Sequence, residues 1–127
     1  MKSILIIEDD RVMQVLLRNL FIEAGYSVNS IMDGKDLIDD DEIFSTDLII
    51  VDMMIPHLYE SSDLINLYKN RKAPIIVISA IDKDDGIYFT KKINGQAFFN
   101  KPFNPKELLN TVNTLINKKK EKILSNS

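Results

Sequence analysis

The chain has no cysteine, so disulfides, thiolate zinc sites and cysteine nucleophiles are excluded. Its single histidine, His57, is too little for a histidine-based metal cage and a poor basis for a Ser-His-Asp triad. Four glycines and four prolines in 127 residues argue against a fibrous or disordered chain. The longest apolar runs, such as Ile4 to Ile7 and Ile75 to Ile78, are far too short to cross a bilayer. Met1-Lys2-Ser3 leads directly into a strand-like segment, leaving no room for a signal peptide, so a cytoplasmic chain is expected. The net charge of −3 offers no general reason to expect nucleic-acid binding. One basic cluster, Lys118-Lys119-Lys120 with Lys122, falls where a final helix should end, and its cations suit the negative end of the helix dipole. The other reading of that cluster is a basic linker towards a second domain.

What is present is the material of one ordinary domain: 45% hydrophobic and 28% charged residues, at a length that buries a real core. Five short apolar runs stand at Ser3 to Ile7, Ser27 to Ile31, Asp47 to Val51, Pro74 to Ser79 and Ala97 to Phe99. Ile4-Leu5-Ile6-Ile7 and Leu48-Ile49-Ile50-Val51 are apolar at every position, a pattern that suits parallel strands covered on both faces. Helical spacing separates them. Met13, Leu16, Leu17, Leu20 and Ala24 predict a helix that Gly25 can terminate. Lys35 to Asp41 is a short, weaker candidate, and Ser61 to Asn70 places Leu64, Ile65, Leu67 and Tyr68 on an inner stripe. Asp84 to Asn94 is the least secure helix, because Gly86 and Thr90 are poor helix residues. The last helix is the clearest: Asn104 can cap it, Pro105 fits the first turn, and Glu107 stands three residues after the cap. Leu108, Leu109, Val112, Leu115 and Ile116 form its apolar face.

Strands alternating with helices in so short a chain imply a parallel sheet with helices on both sides. The functional crevice of such a sheet lies beyond the carboxyl ends of its strands. There the first strand ends in Glu8-Asp9-Asp10, the third in Asp52 and the fourth in Ser79-Ala80, and the fifth runs into Lys101-Pro102. Carboxylates brought together repel, and crowding raises some of their pKa values. A hard cation such as Mg²⁺ relieves that penalty, because it prefers oxygen ligands and keeps several waters. One carboxylate can then act as nucleophile towards phosphorus and form an acyl phosphate. Lys101 supplies positive charge for a phosphoryl oxygen, and the Ser79 hydroxyl can donate a hydrogen bond. Each residue also has an ordinary reading: Asp9 or Asp10 can cap the first helix, and a lone Asp at a strand end is often a turn residue. The combination is far more specific than its parts.

These motifs, in this order, resemble the receiver domain of two-component response regulators, over Ile4 to about Lys118. "ILIIEDD" resembles the acidic-pair motif, with Glu8 and Asp9 as pocket acids and Asp10 just outside. "DLIIVDMMIP" resembles the phosphoacceptor segment around Asp52, "PIIVISA" puts Ser79 at the hydroxyl position, and "FFNKPF" puts Lys101 at the lysine position. Phe98 then corresponds to the aromatic switch position. The resemblance implies a flavodoxin-like (βα)5 three-layer sandwich with a five-stranded parallel sheet in the order 2-1-3-4-5. It implies Mg²⁺ (or Mn²⁺) held by Asp9, Asp52 and the backbone carbonyl of Met54, with Glu8 acting mainly through water. A histidine kinase or histidine phosphotransfer protein would donate the phosphoryl group to Asp52. Ser79 would be drawn inward, Phe98 would fill the space vacated, and the surface of the fourth helix, fifth strand and fifth helix would change for a downstream partner.

Some residues depart from the family pattern. Pro56-His57-Leu58-Tyr59-Glu60 replaces a "Pro-x-x-Asp-Gly" loop, with Glu60 where Gly is usual, and Asn94-Gly95 replaces "Gly-Ala". Asn tolerates left-handed backbone, so the second change is mild. Phe98 in place of Tyr lacks a hydroxyl but keeps the steric switch. His57 is read as a loop residue in preference to a phosphoryl relay. Met54 and Ile81, two residues after Asp52 and Ser79, cannot orient an attacking water, so slow loss of phosphate is expected. A haloacid-dehalogenase-type phosphatase would need a second acid at position 54, where Met54 stands. The expectation is therefore a non-enzyme phosphoacceptor with residues 1–120 as receiver domain and 121–127 as polar tail or start of a linker. No membrane or direct nucleic-acid contact is expected, and a phosphorylation-dependent dimer is compatible with the reading. The alternatives kept open are a pseudo-receiver interaction module and the N-terminal receiver of a longer DNA-binding regulator. Ile87, Tyr88 and Phe89 are candidates for an interaction surface, shared with core packing.

Overall fold

The computed structural model describes residues 1–32, 45–52, 66 and 68–125. The expected helix at Lys35 to Asp41, Met54, the loop from Pro56 to Glu60 with His57, and Leu64, Ile65 and Leu67 lie outside the described residues. In chain order the elements are β1 (Ser3–Ile7), α1 (Arg11–Glu23), β2 (Ser27–Ile31), β3 (Leu48–Asp52), β4 (Ile75–Ser79), α2 (Lys83–Lys92), β5 (Ala97–Asn100) and α3 (Pro105–Ser125). Residues 68–70 are also helical.

All strand pairs are parallel, as the apolar runs predicted, and the sheet order is β2-β1-β3-β4-β5, the flavodoxin-like arrangement that the resemblance to receiver domains implies. The unbroken apolar runs are the reason the sheet sits in the middle. In β3 and β4 every residue is buried, so neither face can be left to water. Alternate residues serve opposite faces. Leu5, Ile7, Ile49, Val51, Ile75 and Val77 pack with Tyr68, Phe89 and Ile93 on one side. Ile4, Ile6, Leu48, Ile50, Ile76 and Ile78 pack with Leu17 and Phe21 of α1 and Leu108, Val112 and Ile116 of α3 on the other. Each fully buried Ile or Leu contributes roughly 1.5–3 kcal/mol by leaving water. β2, at one edge of the sheet, reads differently: only Ile31 is buried there.

Local signals account for the element ends. Asp10 takes the N-cap of α1, accepting from the backbone N–H of Val12 (2.9 Å) and Met13 (3.4 Å). Gly25, at φ 96°, follows the end of that helix in the left-handed conformation that glycine adopts freely. Asn104 caps α3 through Lys106 N–H (2.9 Å) and Glu107 N–H (3.4 Å), as its sequence predicted. Asn94 stands at φ 58°, in the region where the substitution of Asn for Gly was expected to be mild.

Two details differ from the sequence reading, and one choice it left open is resolved. The inner face of α1 is built from Leu17 and Phe21, with Met13 and Leu20 beside them, while Leu16 is 45% exposed and Ala24 lies outward. Phe21 wins because it stands one full turn beyond Leu17 on the same stripe. The lysine-rich run does not end the last helix: α3 continues to Ser125. Among Ile87, Tyr88 and Phe89, Phe89 belongs to the core and Tyr88 projects outward with 70% exposure.

Candidate functional site

Parallel register brings the site together. Ile7 pairs with Val51, so Glu8 follows β1 at the level where Asp52 closes β3. Asp52 pairs with Ile78, which puts Ser79 one step beyond it, and Ser79 pairs with Asn100, which puts Lys101 one step beyond that. Glu8, Asp52, Ser79 and Lys101, spread over more than 90 positions of sequence, therefore share one edge of the sheet.

At this edge Lys101 Nζ donates to Asp52 Oδ2 at 3.0 Å and to Glu8 Oε2 at 3.1 Å. Glu8 and Asp52 are buried and Asp9 is exposed, with one carboxylate oxygen of each within 4.8 Å of the others. Glu8 is held from behind as well: its Oε1 accepts from Asp10 N–H at 3.1 Å. The electrostatic consequences are opposite for the acid and the base. Burial, and then the neighbouring Asp52 carboxylate, push the Glu8 carboxyl from 4.5 up to about 7, against the pull of Lys101. Burial works against the Lys101 ammonium, but hydrogen bonds and charge from Asp52 and Glu8 outweigh it and raise its pKa. Two buried acids bridged by one ammonium leave the pocket short of positive charge. The donor set is all hard oxygen, with Asp9 open to solvent on the outer side. It fits a hard divalent cation that keeps part of its water shell.

Ser79 is fully buried, and its Oγ accepts from Ile81 N–H at 3.1 Å. The hydroxyl keeps its own proton to donate. Its backbone carbonyl is gripped by Lys101 N–H (2.8 Å) and by Asn100 Nδ2 (3.1 Å). Asn100 also donates to the Ile81 carbonyl at 2.9 Å, so one amide ties the end of β5 to the turn after β4. Sequence reasoning missed Asn100, and no signal marked it: an Asn at a strand end is unremarkable until its partner is known.

Phe98 stands in β5 opposite Val77, on the other side of the sheet from Phe99, and packs against the same core cluster as Ile81. Between α2, β5 and the start of α3 runs a cleft of about 420 Å³, lined by Phe98, Phe99, Pro102 and Phe103 together with Lys83 and Glu107. Of the residues expected at the site, Glu8, Asp9, Asp52 and Lys101 come together, Ser79 stands at the next strand end, and Phe98 lies apart from them, three residues before Lys101 in β5. Asp10 is a helix cap, the ordinary reading of that residue.

An acidic pocket at this edge of a 2-1-3-4-5 parallel sheet defines a class, and comparison with known proteins agrees. The model of the response regulator receiver domain family matches residues 4–113. The chain belongs to that family, whose members are phosphoacceptor switch domains. Among curated proteins it is 29% identical over 119 residues to the transcriptional regulatory protein CpxR of Escherichia coli (strain K12), covering 91% of this chain and 50% of that one. It is 27% identical over 109 residues to the alkaline phosphatase synthesis transcriptional regulatory protein PhoP of Bacillus subtilis (strain 168), covering 84% and 45%. The chain thus spans about half the length of the curated relatives it matches. Among solved structures, a CheY-like receiver domain protein from Methanospirillum hungatei JF-1 superposes with TM-score 0.83 at 20% identity, covering 96% of this chain and 98% of that one. The receiver domain of the Francisella response regulator 1452 gives 0.78 at 28% identity, covering 94% and 99%. Among the described residues no helix is long and apolar enough to cross a membrane.

Proposed function

We propose that this receiver accepts a phosphoryl group on Asp52 from the phosphohistidine of a histidine kinase or histidine phosphotransfer protein. A carboxylate oxygen of Asp52 forms the new P–O bond as the P–N bond to the donor imidazole breaks. The imidazole leaves with that electron pair and takes up a proton. The observation that carries this reading is Lys101 bridging Asp52 (3.0 Å) and Glu8 (3.1 Å). An ammonium in that position is ready to follow charge from the carboxylate to the phosphoryl oxygens. The residues to hold Mg²⁺ or Mn²⁺ are Glu8, Asp9 and Asp52, with the backbone carbonyl of Met54. Such an ion would supply positive charge against the crowded acids and the incoming phosphoryl oxygens. Ser79 donates its free hydroxyl proton to a phosphoryl oxygen, and Phe98 answers its movement. The cleft between α2, β5 and α3 supports this as the surface where a downstream partner or effector domain reads the state.

On this reading the chain assists its own phosphorylation and loses phosphate slowly, with no other catalytic activity. It works in the cytoplasm, spans a receiver at residues 1–120 with a tail or linker at 121–127, and dimerises only when phosphorylated if it dimerises at all. A second reading, the receiver of a longer DNA-binding regulator, is favoured by the half-length coverage of CpxR and PhoP. In that case DNA contact belongs to the other half.

The test is intact-mass measurement after incubation with acetyl phosphate, with and without Mg²⁺, on wild type and Asp52→Ala. A Mg²⁺-dependent phosphoryl adduct absent from Asp52→Ala is expected. A folded wild type that takes no phosphoryl group, even from a cognate donor, overturns the reading in favour of a pseudo-receiver, with Glu60 the first residue to change.

A further inference from the structure

Gly86 was the weakest point of the predicted helix, and the structure supplies a reason for it. A Cβ built on Gly86 would meet the Phe98 ring at 2.2 Å (Cζ), 2.3 Å (Cε2) and 2.9 Å (Cε1). Real Cβ atoms do not approach carbon so closely. The ring therefore lies in a notch in α2 that exists only because residue 86 has no side chain. The notch is braced: Gly86 N–H donates to the Asp82 carbonyl at 2.9 Å, and Thr90 Oγ1 donates back to the Gly86 carbonyl at 2.7 Å. Gly86 and Thr90 are both buried on this face, although each costs the helix some propensity. Phe98 also lines the cleft between α2, β5 and α3, so the same residue borders both the notch and the cleft.

We propose that Gly86 is the positioning residue for Phe98: the notch seats the ring against α2, and any side chain at position 86 drives it out towards the cleft. The ring-in-notch packing stands on the geometry alone. Its consequence, that Gly86 sets the resting position of the switch and couples Phe98 to α2, rests on the reading of Phe98 given under Proposed function.

The test is a double-mutant cycle by denaturant unfolding on wild type, Gly86→Ala, Phe98→Ala and the double variant. Alanine is the better helix former, so with Phe98 removed Gly86→Ala should shift the unfolding equilibrium roughly fivefold towards the native state. With Phe98 present the same change should shift it the other way. Failure of Gly86→Ala to fold, with recovery in the double variant, counts as the same reversal. Stabilisation in both backgrounds, or destabilisation in both, overturns the proposal. A second readout separates positioning from bulk packing: the nuclear Overhauser contact between the Phe98 ring and Gly86 Hα should be present in wild type, where its absence overturns the proposal. In acetyl phosphate, wild-type ring resonances should move and those of Gly86→Ala should not; ring resonances that move equally in both overturn the coupling. If Asp52 takes no phosphoryl group but the sign reversal holds, the receiver reading fails and the notch stands. If the adduct forms without the reversal, the notch fails and the receiver reading stands.

Discussion

The ammonium of Lys101 lies 3.0 Å from the carboxylate of Asp52, across 49 positions of sequence, and 3.1 Å from that of Glu8. Its position makes the first prediction. Lys101→Met keeps the aliphatic stem and removes the charge. Labelling by acetyl phosphate in Mg²⁺ should slow by roughly 10²-fold, the usual loss when one preorganised donor to developing charge is removed. Mass spectra taken over time measure it, and labelling at the wild-type rate would leave the lysine without the assigned role.

Glu8 makes stability depend on pH. Its carboxyl is raised from 4.5 to about 7, by burial first and by Asp52 second. The folded protein binds this proton more tightly than the unfolded chain. Glu8 therefore contributes stability that is complete below about pH 4.5 and is lost as the pH rises through about 7. In metal-free buffer, wild type should lose more stability between about pH 5 and pH 8 than Glu8→Gln does, and Mg²⁺ should reverse part of the wild-type loss. Parallel denaturation midpoints in the two proteins would contradict the shift.

Asn100 holds the Ser79 and Ile81 carbonyls together at 3.1 and 2.9 Å. Asn100→Ala should cost about 1–3 kcal/mol in urea unfolding, for two lost bonds and their half-buried acceptors. Asn100→Asp should cost more, because it sets an acceptor against two carbonyls. Hydrogen exchange at the Ile81 amide should quicken in both variants, and an unchanged rate would mean the turn is held by something else.

Tyr68 is fully buried, and among the described residues its hydroxyl has no hydrogen-bond partner. Burying an unpaired hydroxyl costs free energy that Phe does not incur. Tyr68→Phe should leave stability unchanged or raise it by up to about 1 kcal/mol. Tyr68→Ala should lower it by about 3–5 kcal/mol, as other aromatic deletions from cores do. Calorimetric unfolding of the pair decides it: a clear loss for Tyr68→Phe would show that the hydroxyl is satisfied in solution.

Much of this was legible in the residues. Ile4 to Ile7 and Leu48 to Val51 announced buried parallel strands because local apolar runs depend on nothing distant, and Asn104-Pro105 with Glu107 marked the last helix for the same reason. Strand ends then located Glu8, Asp9, Asp52, Ser79 and Lys101 together, since parallel order alone puts carboxyl ends on one edge. The choice of Phe21 over Leu16 was not legible, because the two differ only in how α1 is rotated against the sheet. Asn100 was not legible either, because its hydrogen bonds cross from β5 to the turn after β4.

Gly86 shows the division most clearly. Read along the chain it is a defect, a residue that weakens a helix by its own propensity. Read in three dimensions it is the space that seats Phe98, twelve positions further on. The sequence by itself determined the elements, the sheet and the set of groups that could bind a phosphoryl group, because these follow from short-range pattern and strand order. Tertiary structure alone decided that Lys101 bridges two acids and that a glycine and a phenyl ring fit. Distances of three ångströms depend on how whole layers pack, and no local pattern carries that information.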